Sequence, residues 1–271
     1  MLHQFEYAGP TTRAELHELL ARKGGETRLL AGGTDLLVNI RGGVIKPALV
    51  VDVKKVKDLP GLAWKEGEGL SIGPSVTINQ ILASAAVKER FPLLAECGHD
   101  LASYQVRNRA TVIGNVVNAS PCSDMAPALL CLEARALISS KRGTREVAFS
   151  EFFKGVKKTV LEADEVLERI LVPSKSVGAR GAYRKLKRIA GHDLGIVGVA
   201  LMRKDGEVRL GISSSAPTPV LVAGLGEGDG VEKAVAAARA ATSPISDLRC
   251  SKEYREFMIE TFVRRLWAEV K

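Results

Sequence analysis

The stretch Gln105-Val-Arg-Asn-Arg-Ala-Thr-Val-Ile-Gly-Asn-Val-Val-Asn-Ala-Ser-Pro-Cys-Ser-Asp124 constrains this chain more than any other. It is too polar and too rich in turn residues to serve only as core. Thr111, Ser120 and Ser123 offer hydroxyls, Asn115 and Asn118 offer amides, and Asp124 a carboxylate. Gly114 lets a ligand approach the backbone. An apolar run at residues 125–132 follows and reads as a helix, with Pro127 tolerated in its first turn. A polar loop feeding a helix N-terminus suits anions and ribose hydroxyls, because unpaired N–H groups point outward there. A second turn, around Gly32-Gly33, comes at the end of a predicted strand. Strand, Gly-Gly turn and new apolar element is how a chain brings backbone N–H groups to a pyrophosphate. The turn fits neither G-x-G-x-x-G nor a Walker A loop, and alone it marks only a change of direction. The two stretches together predict a site for a phosphate-bearing cofactor.

The remaining elements follow from periodicity and caps. Thr12-Arg-Ala-Glu15 reads as a capping box, and Leu16, Leu19 and Leu20 give that helix an apolar face. Strands are predicted at 27–31 and 48–53. Another strand is expected at 70–72, then a capping box at Thr77-Ile-Asn-Gln80, then a helix from Phe91-Pro92 to about residue 103. A strand pair is expected at 134–139 and 144–149, with a further strand at 165–172. The polar, breaker-rich segment 173–180 is the best domain boundary. Beyond it, strands are predicted at 182–187, 195–203 and 207–214, with Asp205-Gly206 turning the last hairpin. Helices at 230–241 and 252–270 close the chain. Tyr254, Phe257, Met258, Phe262, Leu266 and Trp267 are expected on one buried or partner-facing side of the last.

Bulk properties narrow the function classes. At 271 residues the chain suits more than one modest core. No run of apolar residues is long enough for a transmembrane helix. Met1-Leu-His-Gln-Phe-Glu6 lacks the pattern of a signal peptide, so a cytoplasmic location is expected. The net charge is +8. The densest basic run holds Arg180, Arg184, Lys185, Lys187 and Arg188, with no aromatic interleaving or nucleic-acid motif. Nucleic acid is therefore not expected; a solvated face or an acidic partner subunit accounts for the charge. Cys97, Cys122, Cys131 and Cys250 form no C-x-x-C pair, so no metal or iron–sulfur centre is expected. Four isolated histidines support no Ser/His/Asp constellation. No catalytic side chain stands out.

Leu29-Leu-Ala-Gly-Gly-Thr-Asp-Leu36 and the 105–124 stretch, in this order and spacing, resemble the FAD-binding medium subunits of molybdenum hydroxylases. That group includes the flavin subunits of carbon monoxide dehydrogenase and bacterial xanthine dehydrogenase. The likeness runs over the whole chain: Gly211-Ile-Ser-Ser-Ser-Ala-Pro-Thr-Pro219 and Ile245-Ser-Asp-Leu-Arg-Cys-Ser-Lys-Glu-Tyr-Arg255 look like the family's C-terminal domain. The resemblance implies an α+β architecture. A vanillyl-alcohol-oxidase-type FAD-binding fold of two α+β subdomains (about 1–54 and 55–175) would be followed by a C-terminal domain, 176–271, of a small antiparallel sheet plus helices. It implies an FAD-dependent oxidoreductase subunit that accepts electrons from a 2Fe–2S small subunit and passes them to NAD or another acceptor. Substrate would be oxidised on a molybdenum-cofactor large subunit.

Carried over by motif, Leu29, Leu30, Ala31, Gly32, Gly33, Thr34, Asp35 and Leu36 would wrap the FAD pyrophosphate. Thr111, Gly114, Asn115 and Asn118 would contact the diphosphate, ribityl or adenosine portions. Ser123 and Asp124 would hold sugar hydroxyls, or cap the following helix. Leu167 and Lys185 fall where the family places residues near the isoalloxazine, where a cation stabilises a reduced, anionic flavin. One departure is Ile113, where the family usually has glycine. A branched residue disfavours positive φ and predicts a backbone that stands farther from the ligand at 113. The residues also allow two alternatives: a scaffold subunit of the same complex that has lost FAD, and a stand-alone flavin oxidoreductase.

Overall fold

The computed structural model describes residues 3–271; the first two residues of the segment read for a leader lie outside it. Three short strands, Glu6–Ala8, Leu49–Asp52 and Thr27–Leu30, lie in that spatial order as a parallel sheet. Parallel pairs need crossovers, and helices Arg13–Lys23 and Leu36–Arg41 supply them. The middle strand is buried along its whole length, which is why it reads as an unbroken Leu-Val-Val run rather than an alternation. Leu16 and Leu20 pack on Leu49, Val51 and Val53 to make a small separate core. The cap of the first helix is half as expected. The Glu15 N–H donates to Thr12 Oγ1 at 3.2 Å, but the Glu15 carboxylate takes the Thr11 N–H at 2.7 Å.

The middle of the chain forms a five-stranded antiparallel sheet. Its order is Leu62–Lys65, Gly69–Ile72, Val166–Pro173, Arg135–Ser140, Gly143–Ala148. Helices Ile78–Ala83, Ala85–Arg90, Pro92–His99 and Ala126–Cys131 share its core. The Thr77/Gln80 capping box is complete. The helix expected to reach residue 103 stops at His99 because Ala102 takes a left-handed backbone, φ +47°. Ser103 then caps a separate turn, Tyr104–Arg107.

The last part is a four-stranded antiparallel sheet, Arg180–Leu186, Val197–Lys204, Glu207–Ser213 and Val220–Gly226, in chain order. Asp205 and Gly206 both have positive φ, as a type I′ hairpin requires. The fourth strand is an addition to the three expected. Helices Gly230–Ala241 and Lys252–Glu269 pack on this sheet. The final helix buries Arg255, Met258, Ile259, Phe262, Val263 and Leu266. Tyr254 and Phe257, expected on the buried or partner-facing side, are exposed in this chain and stacked on each other, ring centroids 6.2 Å apart. Tyr183, Ala200 and Met202 join the central core, so the C-terminal sheet and the middle sheet share packing.

Candidate cofactor site

The strand Thr27–Leu30 delivers the chain into the Gly-Gly turn, and packing dictates both glycines. A Cβ on Gly32 would stand 2.1 Å from the Arg109 carbonyl oxygen, so only glycine lets this turn lie on the backbone that leads into Thr111. Gly33 has φ +77°. The two stretches singled out in the sequence therefore meet backbone to backbone. Among the described residues, the N–H groups of Gly32, Gly33, Thr34 and Asp35 have no acceptor. The helix Leu36–Arg41 starts immediately after, with Leu37 N–H donating to Gly33 O at 3.1 Å. Successive free amides leading into a helix form an anion-binding concavity.

The second stretch is not a continuous loop. Thr111 caps a helix, Val112–Val117, its Oγ1 accepting from Gly114 N–H at 3.0 Å. Ile113 lies in the first turn of that helix with its side chain in the central core. Position 113 has no positive φ, so the branched side chain imposes no strain there. Asn115 Oδ1 accepts from Ser123 Oγ at 2.6 Å and from Met125 N–H at 3.3 Å. The helix expected over 125–132 is Ala126–Cys131, and all six of its residues are buried. Its cap residue Met125 makes no side-chain cap bond. Asn118 Nδ2 donates to Asp35 Oδ1 at 3.0 Å, joining the two stretches a second time.

Asp124 does not cap a helix. Its carboxylate pairs with Lys185 Nζ at 2.8 Å and accepts from the Tyr183 hydroxyl at 3.3 Å. Lys185 also donates to Asp100 O at 3.1 Å. The Lys185 side chain is only 1% exposed. Burial raises the Asp124 pKa, against the opposing pull of Lys185 and Tyr183. Burial also pushes the Tyr183 phenol well up, so it stays a neutral donor. Lys185 and Tyr183 share one face of their strand, two residues apart. Leu167 is buried in the central core, on the strand that packs against Val112–Val117. Ser123 is buried and is held by Asn115.

The basic run around Lys185 is neutralised internally. Arg180 meets Glu227, Arg184 meets Glu96 and Glu269, Lys187 meets Asp100, and Arg188 meets Asp193. Cys122 lies near Arg249, with Nη1 to Sγ at 3.6 Å. Cys131 is core, its pKa pushed by burial to about 12. Among the described residues no group of three or more His, Cys, Asp or Glu is placed to hold a metal ion, and no helix is long and apolar enough to cross a membrane. Sequence reasoning missed Tyr183 and Lys157, whose Nζ donates to Asn118 Oδ1 at 2.8 Å. The strand alternation around Lys185 could have pointed to Tyr183. No local signal marks Lys157.

Residues 3–175 match the family described as the FAD binding domain in molybdopterin dehydrogenase, and residues 181–270 match the CO dehydrogenase flavoprotein C-terminal domain. The carbon monoxide dehydrogenase medium chain of Hydrogenophaga pseudoflava is 34% identical, over 97% of this chain and 95% of that one. The xanthine dehydrogenase FAD-binding subunit of Escherichia coli O157:H7 is 29% identical, over 97% and 94%. A solved carbon monoxide dehydrogenase chain from Hydrogenophaga pseudoflava superposes with a TM-score of 0.91 at 31% identity, covering all of both chains. A chain of quinoline 2-oxidoreductase from Pseudomonas putida 86 gives 0.88 at 25%, over 100% and 98%. The free amides and close-packed glycines of the two stretches suit FAD, the cofactor of the matched domain. The chain belongs to the FAD-binding medium subunits of the molybdenum hydroxylase family, and so to the FAD-dependent oxidoreductases.

Proposed function

We propose that this chain is the electron-transferring subunit of a molybdenum hydroxylase. It receives electrons from a 2Fe–2S small subunit and passes them to NAD or another acceptor, while a molybdenum-cofactor large subunit oxidises the substrate. FAD supplies the capacity to take up and release those electrons. The chain's own residues bind and tune it. Residues 1–175 hold the cofactor, in two parts divided near residue 54, and residues 176–271 close the site. The free amides of Gly32, Gly33, Thr34 and Asp35, within the segment 29–36, hold the diphosphate. Thr111, Gly114, Asn115 and Asn118 flank the diphosphate, ribityl or adenosine portions. Ser123 and Asp124 serve sugar hydroxyls, Asp124 also anchoring Lys185. Leu167 and Lys185 flank the isoalloxazine, where the Lys185 charge favours the anionic reduced form.

The observation that carries this reading is the row of acceptor-free amides, locked against the second stretch by the close approach to Arg109 and the Asp35–Asn118 bond. The scattered cysteines support placing the iron–sulfur centre on another chain. The same reading keeps the chain in the cytoplasm. To test it, the tagged chain is purified from its native host and its partners are identified by mass spectrometry, with iron and molybdenum content measured. Anaerobic NADH is then added to the isolated chain. Co-purification of two further subunits with both metals, and bleaching of the flavin band, are expected. A chain that purifies alone and metal-free contradicts the subunit assignment. A flavin untouched by NADH leaves the acceptor to be another molecule.

A further inference from the structure

Lys54 reaches the first stretch at Leu30 O, and Lys157 and Lys185 reach the second at Asn118 and Asp124; among the described residues, Lys157 is the one of these three without a carboxylate partner. Lys54 pairs with Asp52 at 2.6 Å, and Lys185 with Asp124 at 2.8 Å. Lys157 has no carboxylate partner among the described residues; its ammonium donates only to Asn118 Oδ1, at 2.8 Å. An ammonium carries three donors, so two remain for a ligand. Asn118 in turn donates to Asp35 Oδ1 at 3.0 Å. One chain of hydrogen bonds thus links three segments that are remote in sequence, ending at the loop with the acceptor-free amides.

The backbone at this point is unusual. Lys157, in the turn between Phe153–Gly155 and Lys158–Thr159, has φ +60°. Its N–H donates to the Ala119 carbonyl at 2.9 Å, and Ala119 is itself left-handed, φ +44°. Non-glycine residues adopt this conformation only where the surrounding structure imposes it. Here the imposed conformation accompanies an ammonium set on the Asn118 amide.

We propose that Lys157 is a further residue of the cofactor site. It orients Asn118, so that the two stretches stay locked, and it supplies the unpaired cation for the FAD diphosphate. The inference rests on the FAD reading above and adds to it a residue that no motif marks.

The test is a fluorescence titration of the full-length chain, stripped of flavin, with FAD at low and high salt. Wild type is compared with K157M, K157G and K157R. Removing a charge-assisted hydrogen bond to the ligand weakens Kd by about tenfold or more. K157M and K157G should show that weakening together with a shallower salt dependence, and K157R should stay close to wild type. Glycine relaxes the left-handed backbone, so K157G should keep or raise its thermal midpoint while binding FAD less tightly. A purely structural role for Lys157 would not separate those two readouts. FAD bound by K157M and K157G as tightly as by wild type, with the same salt slope, overturns the proposal and leaves the cofactor site intact. A wild-type chain that takes up no FAD overturns the cofactor reading itself.

Discussion

Lys185→Met removes the cation from the buried pair that joins the C-terminal sheet to the polar stretch before the Ala126–Cys131 helix. Methionine keeps the length and apolar stem, so the change isolates the charge. It leaves the Asp124 carboxylate buried with only the Tyr183 hydroxyl, 3.3 Å away. Breaking one side of a buried pair costs about 3–5 kcal/mol. At roughly 2–4 °C per kcal/mol for a chain of this size, the midpoint should fall by about 6–20 °C. The pH dependence has a definite sign. Burial already raises the Asp124 pKa in the folded chain, so the folded state binds the proton more tightly than the unfolded one. That contribution is largest below the ordinary carboxylate range and falls as pH climbs toward the raised folded value. Without Lys185 the folded pKa rises further. The K185M deficit should therefore be small in acid and grow toward neutral pH. D124N/K185M, which carries a neutral amide in place of the stranded carboxylate, should recover part of the loss. Denaturant melts of the single and double variants across that range decide the matter. A neutral-pH deficit below about 1 kcal/mol, or one that does not change with pH, would refute the buried-pair account.

Other consequences follow from the same geometry. Gly32→Ala forces a Cβ to within 2.1 Å of the Arg109 carbonyl oxygen; it should cost about 1–3 kcal/mol and lower FAD retention, both readable in one melt with flavin fluorescence. Asn115→Ala strands the Ser123 hydroxyl and the Met125 N–H, at about 1–3 kcal/mol, and a melt that matches wild type would show those bonds to be dispensable. Burial works to raise the Asp247 pKa, but hydrogen bonds from Arg249 and the charge of Arg255 hold it well below the ordinary range. Asp247 therefore stabilises the fold above the ordinary carboxylate pKa and stops doing so as pH falls through its depressed folded value. Asp247→Asn, which leaves the buried Arg255 without its carboxylate, should destabilise the chain by about 3–5 kcal/mol at neutral pH, and the gap to wild type should narrow in strong acid.

The cofactor stretches were legible because their chemistry is local. Gly-Gly after an apolar strand and a run of Thr, Asn, Ser and Asp both declare polar backbone work. Their conformation was less so. Val112–Val117 is β-branched and flanked by polar residues, which masks a helix whose cap, Thr111, was in plain view. The fourth C-terminal strand was hidden by Pro219 before it, by Gly224 at φ +77°, and by the register shift between Val208 and Leu210. Composition does not reveal what the final helix buries: Arg255 is buried because Ile196 O, Ser214 O and Asp247 accept from it, while two aromatics beside it are exposed in this chain. Partnerships across long sequence separations, such as Asp124 with Lys185 or Asn118 with Lys157, carry no local signal. The sequence therefore shows which residues are polar and close to a turn, but not which charge each will meet.

The central claim is that the two stretches hold FAD. A visible absorption spectrum of the purified full-length chain, with the released cofactor identified by mass, tests it most directly. The chain should show a flavin spectrum and carry FAD in one-to-one ratio, Ile113 notwithstanding. A colourless chain that also refuses added FAD would contradict it.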